Sequence, residues 1–171
     1  VIREKNLIAF IDMAYQGFAD GIAEDAVALN LFAASGLQFL VSSSFSKSFS
    51  LYGERVGALT LVTENKEESA RVLSQVKRVI RTNYSNPPTH GGAIVAAVLA
   101  NPALRQQWET ELAGMRERIR AMRLSLVEKL KEKNVLQDFS FVVKQRGMFS
   151  YTGLSAAQVE QLKTEFGIYA V

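Results

Sequence analysis

The chain has 171 residues, 48% of them hydrophobic and 22% charged, with a net charge of +3 and a mean hydropathy of +0.04. That composition belongs to globular chains and excludes disordered, collagen-like and membrane-embedded classes. The absence of cysteine excludes disulfide scaffolds, thiolate metal sites and thiol nucleophiles, and a single histidine, His90, argues against zinc and against a Ser-His-Asp arrangement.

Residues 7–11 (LIAFI) form a continuous apolar run that ends at Asp12, as in a strand of a buried parallel sheet. Residues 24–35 carry helical spacing in Ala26, Leu29 and Ala33 and stop at Gly36, which serves as a C-cap. Residues 38–43 (QFLVSS) read as the next strand, giving a βαβ unit whose crossover is expected to be right-handed. After a polar turn, residues 56–62 (VGALTLV) form a third strand, close enough in sequence to return antiparallel.

Residues 67–81 predict an amphipathic helix with Val72, Val76, Val79 and Ile80 on one side. Residues 82–92 (TNYSNPPTHGG) hold two of the three prolines and read as a loop, followed by a short apolar helix over residues 93–100. Pro102 opens a long helix over residues 102–133. Its apolar stripe runs through Leu104, Trp108, Leu112, Met115, Ile119, Met122, Leu126 and Leu130. Residues 139–143 alternate like a half-buried strand, residues 155–166 read as a helix capped by Ser155, and residues 168–171 start a strand.

The expected fold class is therefore α/β, with a mixed, mostly parallel sheet, followed by part of a smaller α+β domain. The boundary falls within the long helix, separating residues 1–113 from residues 114–171. Basic and acidic residues are interspersed, so no nucleic-acid partner is expected. No apolar stretch approaches the roughly 20 residues of a membrane span and no signal peptide opens the chain, so a cytoplasmic protein without a membrane partner is expected. The opening Val1-Ile2-Arg3 and the closing GIYAV read as cuts in a longer chain.

The informative stretch is residues 42–57, SSSFSKSFSLYGERVG. Serines and Lys47 follow a strand, and Arg55 stands eight residues after the lysine. Ligands of parallel α/β sheets bind at strand C-termini, and both Asp12 and the segment reaching Lys47 fall at such ends. A carboxylate, an amine and an anion site made of hydroxyls and a guanidinium then face one crevice, the three anchors that pyridoxal phosphate requires. Isolated, Lys47 and Arg55 would read as ordinary surface residues; Ser42, Ser43 and Ser46 read as turn formers.

With these residues in view, the chain resembles the aspartate and aromatic-amino-acid aminotransferases of fold type I. The matching segments are DMAYQGF at residues 12–18, SFSKSFSLYGERVG at 44–57, RTNYSNPP at 81–88 and KQRGMFSYTGLS at 144–155. Ser46, Ser50 and Tyr151 look more like the aromatic enzymes and YSNPP more like the aspartate enzymes, which leaves the two open. The resemblance implies that Lys47 is the Schiff-base lysine and proton shuttle, that Asp12 pairs with the pyridinium nitrogen, and that Tyr15 donates to the cofactor's phenolic oxygen. It implies further that Ser44 and Arg55 hold the phosphate. Arg81 would bind the distal carboxylate of a dicarboxylic substrate in the neighbouring subunit of a homodimer, with Ser85 and Asn86 lining that region, and Phe149 would contact substrate.

The implied cofactor is pyridoxal 5'-phosphate, with no metal, and the implied activity is ping-pong transamination of aspartate or aromatic amino acids with 2-oxoglutarate through pyridoxamine phosphate. The family's arginine for the substrate α-carboxylate is expected beyond Val171, and the ring-stacking residues and the rest of the phosphate loop before Val1. The chain alone is therefore expected to be inactive. Two other readings are a lyase of the same fold, which Arg81 argues against, and a non-catalytic anion-binding module, which the joint presence of Lys47, Asp12 and Tyr15 argues against. Trp108 and the methionines are assigned to packing; His90 is placed in the loop without a role.

Overall fold

Two apolar runs separated by a helix pair side by side, and a third folds back on the second. The computed structural model describes residues 1–170. Strand β1 (Ala9–Met13) lies parallel to β2 (Phe39–Ser44), in a register that runs from Ala9 opposite Phe39 to Met13 opposite Ser43. Strand β3 (Gly57–Val62) is antiparallel to β2, so the sheet is mixed, in the order β1-β2-β3. The α/β class holds. The first strand starts two residues later than the apolar run suggested and includes Asp12, since residues 7 and 8 precede the parallel ladder with β2.

Between the parallel strands a 3-10 turn (Glu24–Ala26) leads into α1 (Val27–Ala34), and the chain turns at Gly36. The α1 ring of Phe32 packs 5.5 Å from that of Phe39, whose burial stabilises this side of the sheet by roughly 2–3 kcal/mol. Helix α2 (Lys66–Asn83) starts where Asn65 accepts the Glu68 amide at 2.9 Å. Val72, Val76 and Ile80 are half-buried, but Val79 is 64% exposed, because a position one residue before Ile80 turns 100° away from it.

The expected loop over residues 82–92 shrinks to residues 84–88, because α3 (Thr89–Ala100) already begins ahead of its two glycines. Gly91 is buried: a Cβ there would sit 2.8 Å from the Glu54 side chain and 3.2 Å from that of Val56. The glycine is a site of close approach, not a breaker. His90 is helical as well, and its Nδ1 lies 3.0 Å from Glu54 Oε2.

Helix α4 (Pro102–Glu132) is 31 residues long and starts on Asn101, whose Oδ1 accepts the amides of Ala103 and Leu104. Chain contacts divide within it, into one unit over Val1–Arg118 and a second from Ile119 onward. In the first unit Leu112 is fully buried and Trp108 half-buried, as the stripe requires, but Leu104 and Met115 are exposed. In the second the stripe is displaced: Ile119 and Leu130 are half-buried, but Met122 and Leu126 are exposed, while Arg123 and Val127 are buried. Arg123 can be buried because its guanidinium donates to four oxygens, those of Gln145, Gly147 and Phe149 in the backbone and Ser150 Oγ. Burial, with Arg146 and Arg120 nearby, lowers its pKa from the ordinary arginine value.

Residues 139–143 are not a strand. Ser140–Lys144 wind into a 3-10 turn that buries Val142 completely, and no strand partner exists among residues 119–170 to pair with an extended run. Among the described residues the second unit is therefore helical and irregular, without the β part expected of it. Helix α5 (Ala156–Phe166) carries the reciprocal capping box of Ser155 and Gln158. Residues 168–170 are not in a strand either, and Val171 lies outside the described residues.

Candidate active site

The parallel pairing sets the site. Side chains alternate across a sheet, so Asp12 and Ser42, direct partners in the register, stand side by side on one face near the C-terminal ends of β1 and β2. Ser42 Oγ donates to Asp12 Oδ1 at 3.0 Å. Ser42 is thus a strand residue beside a carboxylate, not a turn former. Only the pairing of two strands thirty residues apart reveals it.

Beyond β1, the chain carries Tyr15 into a tight loop that Asp25 holds together. The Asp25 carboxylate accepts four backbone amides, from Gly17, Ala19, Asp20 and Gly21, at 2.8–3.3 Å. Burial pushes this carboxyl up, and the four amide bonds outweigh burial, holding it below the ordinary carboxylate value. Arg116 Nη1 donates to the Gly17 carbonyl at 2.9 Å, and Gln16 Nε2 to that of Ile22 at 2.8 Å. Asp25 gave no signal in the sequence, because an acid at a helix start is ordinary; its acceptors are four amides arrayed by a loop.

Beyond β2, the chain enters a helical turn at residues 45–50, closed by Phe49 N to Phe45 O and Ser50 N to Lys47 O, each 3.2 Å. Ser44 Oγ accepts the Ser46 amide at 3.2 Å, and Ser46 is buried. The Phe49 ring meets Phe45 edge-on and stacks on Trp108 at 4.5 Å, and Trp108 Nε1 donates to the Ser48 carbonyl at 2.6 Å. Trp108 does pack, as expected, and it also fastens the carbonyl next to Lys47. This floor carries Lys47, whose Nζ lies 4.7 Å from the centroid of the Tyr15 ring. An ammonium over a phenol face is favourable by about 0.5–1 kcal/mol near solvent.

Arg55 reaches the same end of the sheet from β3. Its backbone is left-handed at φ 51°, and its Nη1 donates to the Tyr52 carbonyl at 3.0 Å. The Phe45 amide bonds to Val56 O at 3.2 Å, and Gly57 faces Ser44 in the register. A Cβ on Gly57 would fall 2.7 Å from the Ser43 carbonyl, so this contact requires glycine. Asp12, Tyr15, Ser44, Lys47 and Arg55 thus converge on one end of the sheet. A cavity of about 250 Å³ lies among Met13, Ser43, Ser44, Phe49 and Trp108; Asp12, Tyr15, Lys47 and Arg55 do not line it.

The remaining candidates lie elsewhere in the chain. Arg81 is in the last turn of α2, its Nη1 donating to Ser85 Oγ at 2.5 Å, and Ser85 Oγ contacts Asn86 Oδ1 at 3.4 Å. Phe149 belongs to the second unit and has an exposed side chain. Its carbonyl is fixed by Arg123, and Gln145 closes the same loop by a two-way bond to the Tyr151 backbone, at 2.8 and 2.7 Å.

Comparison with known proteins gives a consistent picture. The sequence profile of the family described as aminotransferase class I and II matches residues 1–171. An aspartate aminotransferase of Pseudomonas aeruginosa is 68% identical over the whole chain, which spans 43% of that protein. An aromatic-amino-acid aminotransferase of Escherichia coli is 52% identical over the same range, again 43% of its length. The crystal structure of an aromatic-amino-acid aminotransferase from Burkholderia pseudomallei, covalently bound to pyridoxal phosphate, superposes with a TM-score of 0.97 at 66% identity, covering 99% of this chain and 43% of that one. The chain thus spans under half the length of the relatives it matches.

Proposed function

Because this chain belongs to the class I and II aminotransferases, we propose that it carries the cofactor-lysine part of an enzyme that transaminates aspartate or aromatic amino acids, or both, with 2-oxoglutarate. The observation that carries this reading is the placement of the Lys47 amine over Tyr15, at the end of the sheet where Ser42 holds Asp12. The donor set fits pyridoxal phosphate: an amine for its aldehyde, a carboxylate for its ring nitrogen, a phenol for its ring oxygen, and a hydroxyl with a guanidinium for its phosphate. When bound, this cofactor supplies an electron-accepting ring for the pair left when a proton leaves the substrate's α-carbon.

The chain's own residues divide the remaining work. Lys47 would hold the cofactor through its aldehyde, and its free amine would accept the proton that leaves the substrate α-carbon, a task open to lysine and closed to the always-charged arginine. Asp12 would face the ring nitrogen, where its negative charge would favour the protonated form. Tyr15 would donate to the ring oxygen, and its ring lies 4.7 Å from Lys47 Nζ, which keeps the two groups together. Arg55 and Ser44 bind phosphate oxygens, the guanidinium as a two-pronged donor. Arg81 serves the distal carboxylate of a dicarboxylic substrate in the partner subunit of a homodimer, and Phe149 touches the substrate side chain.

In this reading residues 1–113 belong to the cofactor-binding domain and residues 114–171 to the smaller domain. Among the described residues no helix is long and apolar enough to cross a membrane, and we place the enzyme in the cytoplasm. The 171-residue chain alone has no transaminase activity, since it covers only part of such an enzyme. Borohydride reduction of the full-length protein with pyridoxal phosphate, followed by digestion and mass spectrometry, tests the assignment. A phosphopyridoxyl group on Lys47 and no other lysine is expected; labelling at another lysine overturns it.

A further inference from the structure

The hydrogen bond between Ser42 and Asp12 has no part in the family resemblance, and its geometry is specific. Both side chains are short, both project from the same face of adjacent parallel strands, and the ladder sets them opposite each other. Neighbouring strands lie about 4.8 Å apart, close enough for two short polar side chains to bond directly. The donor is the serine hydroxyl and the acceptor is Oδ1, at 3.0 Å. Asp12 is exposed while Ser42 is half-buried, so the more confined partner holds the freer one.

We propose that Ser42 is a positioning residue for the proposed transamination: its hydroxyl fixes the rotation of the Asp12 carboxylate and leaves Oδ2 to meet the cofactor's ring nitrogen. This rests on the reading of Asp12 as the carboxylate that faces that ring. A carboxylate at the end of a strand otherwise turns about two side-chain bonds, and an anchor that must be ordered on binding weakens the complex. The hydroxyl orders Asp12 beforehand. Ser43 supplies an internal control, because it is the next residue of β2 and its partner in the ladder is Met13, on the opposite face.

The test uses the full-length protein and the equilibrium dissociation constant of pyridoxal phosphate, measured by titrating the apo form. Ser42→Ala raises that constant about tenfold, the loss of one hydrogen bond to a charged group. Ser42→Thr, which keeps the hydroxyl and suits a strand, and Ser43→Ala stay within about twofold of wild type. In an Asp12→Ala background the effect of Ser42→Ala shrinks below about twofold, because no carboxylate remains to be placed. An equal effect of Ser42→Ala in both backgrounds overturns the proposal in favour of a packing role. So does an unchanged constant for Ser42→Ala beside a weakened Asp12→Ala. If Asp12→Ala alone leaves binding unchanged, the assignment of Asp12 fails and this inference with it. Ser42→Cys, close in size and a poor donor, gives the same comparison if the alanine variant folds badly.

Discussion

The two faces of the sheet are made from alternate residues of the same strands, and they meet different fates. On one face Phe39 and Val41 are 4% and 5% exposed, and Phe32 of α1 packs on the first of them. On the other face Phe10 and Leu59 are 65% and 51% exposed, beside Asp12 and Ser42. Apolar residues on both faces are the pattern of a parallel sheet covered on both sides. The covered face holds the first unit together. The open face presents the carboxylate and the hydroxyls, so its polar residues are judged by what they can bind instead of by what they bury.

The largest effect separates the chemistry at the end of the sheet from the packing of its covered face. In the full-length protein, Lys47→Ala lowers turnover by roughly a thousandfold, within the range for loss of a general acid-base group, while leaving the thermal midpoint of the cofactor-free form within a few degrees. A matching loss of stability would make Lys47 a structural residue and erase the distinction.

Next come the faces themselves. In urea unfolding of the 171-residue chain, Val41→Ala destabilises by about 2 kcal/mol, the usual cost of shortening a packed aliphatic side chain. Leu59→Ala stays within about 0.5 kcal/mol, as at exposed positions. Equal costs would show that both faces are packed in solution.

The Asp25 loop sharpens the comparison at the sheet's end, where Tyr15 is placed. The folded-state pKa of this carboxyl is lowered. Its contribution is therefore fully present above the ordinary carboxylate value near 3.9 and is lost as pH falls through the lowered folded value. Asp25→Asn costs about 1–2 kcal/mol at neutral pH, since two of its amide donors lose a carboxylate acceptor. Urea midpoints measured between pH 2 and 7 should then lose one step of acid dependence relative to wild type; an unchanged profile contradicts the role of the four amide bonds.

The smallest effect lies outside the sheet. Ser155→Ala removes the capping box of α5 and costs about 1 kcal/mol by the same assay. It gives the scale of a purely local interaction. If it exceeds Val41→Ala, the covered face is not what dominates stability.

Much of this was legible in the sequence because its causes are local. Strand β3, the antiparallel return, the long helix opened by Pro102 and the Ser155 cap each follow from residues within a few positions of one another. The segment from Ser44 to Gly57, with Lys47 and Arg55, announces its chemistry through residue types at fixed spacing. Tertiary structure decided the rest. Residues 139–143 alternate like a strand, but a strand needs a partner, and the segment winds into a 3-10 turn instead. Met122 looks like core and Arg123 like surface, yet the order is reversed because four oxygens of a loop more than twenty residues away satisfy the guanidinium. Ser42 falls at the end of an expected strand, but only the parallel ladder shows that it stands against Asp12. Sequence periodicity reports which way a side chain points along its own element, and only the approach of a distant segment determines what it meets there.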